Sequence, residues 1–529
     1  MFQWRRTALL ACSMLVASGM LAQEPGRERR REAAPPATTE PEAAGTEAKP
    51  PAKPEEKILQ APEGPVVTHH QITVEGKALK FTATAGTLPI RNADGETEAH
   101  IFFIAYTLDN PPEGSKRPLM FSFNGGPGSA SVWLHLGAIG PRRVKLLPEG
   151  GMPKPPFELE DNPYTWLAQT DLAFIDPVGT GYSRPEKKEL GKKFWGVNGD
   201  IESVGEFIRL YLTRYDRWNS PLFLVGESYG TTRAAGLSGY LVNQGIALDG
   251  IVLVSTVLNF ETLEFTRGND LPYVLYLPSY TSTAWFHKKL SAELQQQGLE
   301  KTLDEARRWA GTDYSAALAK GDALPAEVRR DVVEHFARYT GLSPQYIENA
   351  NLRVEAGEFR KELLRNDKRT VGRLDSRFEG IDVSGVSERP DYDPSEAAIR
   401  PPFTSAFNNY VRTELGYKAD LPYYVLGGGV HGWEWGSAAS GFPDVSPSLR
   451  SAIVKNPYMH IFVASGHFDL ATPFFATEYT LDHLGLDPEL RARISTGEYD
   501  AGHMMYINNE SLSKLHHDVA GFLEGALRR

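Results

Sequence analysis

From Val66 onward the chain alternates between short apolar runs and polar, turn-forming stretches. HQITVEG (70–76), ALKFTATAG (78–86) and HIFFIAYTL (100–108) have the alternation or β-rich composition of antiparallel strands. PLMFSF (118–123), DLAFIDP (171–177), PLFLVG (221–226) and GIVLVS (250–255) are apolar almost throughout, as strands buried on both faces are. Between them lie stretches with helical spacing, such as SVGEFIRLYLTRY (203–215) and TTRAAGLSGYLVNQ (231–244). Strands alternating with helices predict an α/β protein whose central, mostly parallel sheet is covered by helices on both sides.

The texture changes between about Tyr280 and Arg400. AWFHKKLSAELQQQ, LDEARRWAG, PAEVRRDVVEHFARYTG and EFRKELLRND are highly charged and helical in period, and no strong strand pattern occurs among them. This predicts a helical insertion over 281–400 that divides the α/β core into 65–280 and 401–529. Strand patterns return at MHIFVASG (459–466) and RISTGEY (493–499), and SLSKLHHDVAGFLEGAL (511–527) predicts a closing helix.

The N-terminal stretch reads differently. MFQWRR followed by TALLACSMLVASGMLA fits an export signal over 1–22, with residues 23–64 as a linker too rich in Pro, Ala and Glu to fold. Soluble secretion or a periplasmic location is the expectation. LLAC (9–12) loosely resembles a lipobox and leaves a lipoprotein open. Cys12, the only cysteine, falls within that signal, so a mature chain would have no disulfide, thiol nucleophile or cysteine-based metal site. A net charge of −11, with the one basic cluster (27–31) inside the linker, argues against nucleic acid as a partner. Stable membrane insertion is not expected once the signal is removed. HExxH, Walker and EF-hand spacings do not occur, so neither metal nor cofactor is implied. GGGVHG (427–432) fits G-x-G-x-x-G formally, but WEWGSAASGF follows it where a helix would be needed.

The chemistry centres on GESYG (226–230), which stands between a strand pattern and a helix pattern. A serine there sits on a sharp turn, and glycines on either side permit close backbone approach. A serine hydroxyl becomes a nucleophile only when an imidazole takes its proton and a carboxylate orients that imidazole. Asp469 follows the strand-like MHIFVASG and His503 follows RISTGEY, which gives the order Ser228, Asp469, His503. His467, His516, His517, Asp482 and Asp500 are the competing residues of the same types. Two backbone N–H groups are also needed to stabilise an oxyanion. Tyr229, directly after the serine, is one candidate, and Gly126 in the NGGPG loop after PLMFSF is the other. FHKKL and HGWEW have the aromatic content of a pocket wall, although packing accounts for such residues equally well.

These blocks together resemble the serine carboxypeptidases. FNGGPGSASVWLHLGAIGP (123–141), DNPYTWLAQTDLAFIDPVGTGYS (161–183), GESYG, SGHFDLATP (465–473) and AGHMMY (501–506) occur in that family's order. The resemblance implies an α/β-hydrolase fold with a helical cap, and removal of C-terminal residues from peptide substrates through an acyl-enzyme. It assigns Ser228, Asp469 and His503 to the triad and Gly126 and Tyr229 to the oxyanion hole. It also assigns Asn124, Gly125 and Glu227 to the grip on the substrate's C-terminal carboxylate. One departure stands out: Ala138 occupies the place of a second glutamate that the family pairs with the first. His135 is a replacement cation at that place or a core histidine. With the paired carboxyl gone, an esterase or acyltransferase on the same machinery is the alternative reading, and a non-catalytic binding protein is a third.

Overall fold

The computed structural model describes residues 62, 64–111, 116–436 and 441–528. The expected signal (1–22) and nearly all of the expected linker (23–64) lie outside the described residues. Among the described residues no helix is long and apolar enough to cross a membrane.

Nine strands build the main sheet: β1 (Val66–Val74), β2 (Lys77–Arg91), β3 (Thr97–Leu108), β4 (Leu119–Phe123), β5 (Asp171–Ile175), β6 (Leu222–Glu227), β7 (Gly250–Val254), β8 (His460–Gly466) and β9 (Ile494–Tyr499). Their order is β1-β2-β3-β5-β4-β6-β7-β8-β9, and the two-residue strand Arg184–Pro185 pairs with β3. The β1–β3 meander, the β3–β5 pair and the pairing of Arg184–Pro185 with β3 are antiparallel, and the rest of the sheet is parallel. This is the mostly parallel α/β sheet expected from the pattern, in the α/β-hydrolase arrangement that the resemblance implied.

The continuous apolar runs are explained by burial on both faces. Phe223 and Val225 of β6 point into one core cluster, while Leu222 and Leu224 point into the other. Helices α1 (Val197–Arg214) and α2 (Tyr229–Asn243) cover the second face. The first face receives Ile399, Phe403, Phe407 and Tyr410 from one long helix and Leu512, Leu515 and Val519 from the closing helix (Asn509–Leu527).

A separate apolar cluster holds the helical layer together, with Leu277, Tyr280, Trp309, Phe336 and Phe359 at its centre. Both expected boundaries of this layer fall inside helices. Residue 281 lies within Leu271–Phe286, and the junction at 400 lies within Pro394–Thr413. The second helix runs through Pro401 and Pro402, because anchoring of Ile399, Phe403 and Phe407 in the core outweighs the missing N–H groups. Two short strands, Thr370–Val371 and Glu379–Gly380, also pair in a region whose sequence shows only helical period.

Candidate active site

Ser228 sits between β6 and α2 with φ 60° and ψ −132°, a conformation that a non-glycine residue adopts only when its surroundings enforce it. Its N–H donates to the Val254 carbonyl at 3.0 Å, which ties the turn to the neighbouring strand. The flanking glycines are sterically required. A Cβ on Gly226 would lie 2.1 Å from the Gly230 carbonyl oxygen, and one on Gly125 would lie 2.4 Å from the Tyr229 nitrogen. The NGGPG loop therefore runs in backbone contact with the serine turn. Tyr229 is the first residue of α2, so its N–H lies at the open end of the helix. Gly126, at φ +98°, lines the recesses on both sides of Ser228.

Asp469 follows β8 and is fully buried. Its Oδ1 accepts from the N–H groups of Ala471 (2.7 Å) and Thr472 (3.0 Å), and its Oδ2 accepts from the Thr472 hydroxyl at 2.7 Å. The same Oδ2 lies 2.7 Å from Nδ1 of His503. Burial opposes charging of the His503 ring, but the Asp469 carboxylate outweighs it and the pKa is raised above the ordinary value. His503, Ser228, Glu227, Asn124, Gly125 and Gly126 line a single recess of about 190 Å³.

The competing residues are engaged elsewhere. His467 lies between Asp500 (2.9 Å) and Glu498 (2.7 Å), and Asp482 accepts from Arg491 at 3.2 Å. His516 and His517 lie in the closing helix. Trp433 and Trp435 of HGWEW pack edge-on against Tyr229, with ring centroids 5.2 and 6.0 Å away. The G-x-G-x-x-G stretch is a loop laid on the NGGPG turn, with the Gly427 N–H donating to the Gly128 carbonyl at 2.9 Å. Among the described residues no group of three or more His, Cys, Asp or Glu side chains is arranged to hold a metal ion.

A family model described as serine carboxypeptidase matches residues 74–324. That stretch, a little under half of the chain, is similar to the serine carboxypeptidases. Serine carboxypeptidase S10 family member 1 of Dictyostelium discoideum is 25% identical over 220 residues, which is 41% of this chain and 48% of that protein. Pheromone-processing carboxypeptidase KEX1 of Saccharomyces cerevisiae is 32% identical over 159 residues, 27% of this chain and 20% of its own length. The chain thus spans half or less of the length of these curated relatives. Serine carboxypeptidase-like 34 of Arabidopsis thaliana matches more extensively, at 23% identity over 83% of this chain and 86% of that protein. The crystal structure of a prohormone-processing carboxypeptidase from Saccharomyces cerevisiae, Kex1(delta)p, shares the fold, with a TM-score of 0.51 and 17% identity over 84% of this chain and 91% of that one.

The surroundings of Glu227 differ from the paired carboxyls that the resemblance implied. Ala138 is buried in a short π-helical turn, His135–Ile139. His135 is not a substitute cation: it is buried, stacked on Phe174, and its Nε2 lies 2.7 Å from the Tyr106 hydroxyl. Burial pulls its pKa down to about 3, so the ring is neutral. The partner of Glu227 is instead Tyr506, whose hydroxyl donates to its Oε2. Tyr506 packs so tightly against Gly137 that a Cβ there would lie 2.6 Å from the ring. Burial pushes the Glu227 carboxyl up to about 7, against opposing pulls from His503, Tyr506 and Asn124.

Sequence reasoning did not single out Tyr506, although it ends the AGHMMY block. It also passed over Thr472 and the segment 372–378, a strap between the loops that carry Asp469 and His503. Leu470 N–H donates to the Arg373 carbonyl (3.0 Å), Ser376 N–H to the Phe468 carbonyl (3.0 Å) and His503 N–H to the Leu374 carbonyl (2.6 Å). Asp375 accepts from the Gly502 N–H at 3.2 Å and forms a two-pronged ion pair with Arg377, whose guanidinium also donates to the Asp500 carbonyl at 2.7 Å.

Proposed function

We propose that the protein is a serine-type carboxypeptidase that shortens peptides from the C-terminus through an acyl-enzyme on Ser228. The observation that carries the reading is the strained Ser228 turn facing a recess shared with His503, whose Nδ1 is bound by buried Asp469. With Nδ1 occupied, Nε2 is the nitrogen left to take the Ser228 proton as the hydroxyl attacks the carbonyl carbon. Asp469 holds the tautomer and stabilises the imidazolium. The N–H groups of Gly126 and Tyr229 receive the oxyanion. His503 then returns the proton to the leaving amine, and water activated by the same ring releases the shortened peptide.

Asn124, Gly125 and the protonated form of Glu227 line the recess beside Ser228 and bind the departing residue's carboxylate. Export by way of residues 1–22 belongs to the same proposal and rests on the sequence pattern alone. Replacement of Ser228 by Ala should abolish labelling of the folded protein by a fluorophosphonate probe. Undiminished labelling would remove Ser228 from the chemistry.

A second reading is favoured by one observation, the Tyr506 hydroxyl on Glu227 where the family places a carboxyl. A site that recognises the substrate carboxylate less strictly also suits ester hydrolysis or acyl transfer. Equal turnover of blocked dipeptides with free and amidated C-termini would decide for it.

A further inference from the structure

Glu227 poses a physical problem for recognition of a free C-terminus. Its carboxyl titrates near neutrality, and the hydroxyl that donates to it is that of Tyr506, a phenol rather than another acid. Once ionised it repels a substrate carboxylate in the same recess. The recess nevertheless contains a permanent cation. Arg373 lines both the 190 Å³ recess around Glu227 and a second recess of about 300 Å³ on the other side of Ser228. Its side chain is exposed, and among the described residues its guanidinium forms no ion pair.

The backbone at Arg373 is fixed by the catalytic loops themselves. Its carbonyl accepts from Leu470, next to Asp469, its N–H donates to Asp393 Oδ1 at 3.0 Å, and the following carbonyl accepts from His503. Glu396, the other carboxylate lining this recess besides Glu227, is already paired with Arg400 at 2.9 Å. A fixed backbone with an uncommitted guanidinium at its head is the arrangement expected of an anchor for an anion that arrives with the substrate.

We infer that Arg373 is a specificity-determining residue that binds the substrate's C-terminal carboxylate and compensates for the carboxyl absent at Ala138. The inference rests on the carboxypeptidase reading and adds a charge that does not titrate. Recognition of a free C-terminus then persists at pH values where Glu227 is an anion.

The test compares N-blocked dipeptides ending in a free acid or an amide, at pH 8, with wild-type protein, Arg373→Gln and Arg373→Lys. The expected result is a free-acid preference in kcat/KM that falls roughly 10–100-fold in Arg373→Gln and is partly restored in Arg373→Lys. The wild-type preference should also weaken as salt is raised, and that of Arg373→Gln should not. An unchanged acid-to-amide ratio in Arg373→Gln overturns the role of Arg373 and leaves the peptidase reading standing. Selective loss on substrates with Glu rather than Gln before the scissile bond moves the anchor to the other recess, and this also overturns it. A wild-type protein that reacts with fluorophosphonate but cleaves neither dipeptide overturns the peptidase reading, and this inference with it.

Discussion

The two halves of the candidate triad are held by different forces. Ser228 is fixed by close backbone packing: Gly125, Gly226 and Gly230 leave no room for a Cβ, and the turn is built directly on β6 and β7. Asp469 and His503 are fixed by hydrogen bonds, and the loops that carry them are tied at Phe468, Leu470, Gly502 and the His503 N–H to the strap 372–378, which enters from the helical layer rather than from the sheet. The candidate nucleophile is thus a property of the carboxyl end of a central strand, while the candidate base is a property of how another layer docks there. The first arrangement tolerates almost no change in shape. The second tolerates changes in shape but responds to the loss of single polar groups.

The sharpest way to break this contrast is Gly226→Ala. Its methyl group would meet a backbone oxygen that cannot move without the turn, so more than roughly 100-fold should be lost in kcat/KM, with a lower melting temperature. An enzyme of normal rate and stability would mean that the turn is softer than the packing implies.

A smaller effect is expected on the other side. Asp375→Asn removes the charge that pairs with Arg377 and weakens acceptance from the Gly502 N–H. It should lower kcat by about tenfold while KM stays nearly constant, because His503 is displaced and the recess is not. A purely structural role would show as a drop in melting temperature with the pH profile of kcat unmoved.

The mildest test concerns pH. Below about 7 Glu227 is protonated and can donate to a substrate carboxylate; above it the anion repels one. The acid-to-amide preference of the wild type should therefore decline a few-fold as pH rises through that value, and Glu227→Gln should flatten the dependence. A decline that survives in Glu227→Gln belongs to another group.

What could be read in the sequence follows the same division. The strands were legible because each buried run is continuous and ends at turn residues, and Ser228 was legible because its turn demands glycine at set spacings. Asp469 and His503 were legible as residues that follow strand patterns. Tyr506 was not, since nothing in the spacing of AGHMMY shows that its hydroxyl reaches a carboxyl at the end of β6. The strap was hidden for a related reason. Most of its work is done by backbone carbonyls and N–H groups, which every residue possesses, so no side-chain pattern marks it. The helix through Pro401 and Pro402 was obscured because its local sequence argues for a boundary, and only the distant core reveals why the boundary is crossed.

The course of the strap bears on any attempt to re-engineer this molecule by module exchange. Its residues belong, in chain order, to the segment a designer would cut out with the helical layer, yet they carry the carbonyls that seat His503 and Leu470. A chimera that imports a foreign layer but retains Gly372–Phe378 keeps the seat of its base. One that exchanges the whole stretch inherits a base position set by the donor.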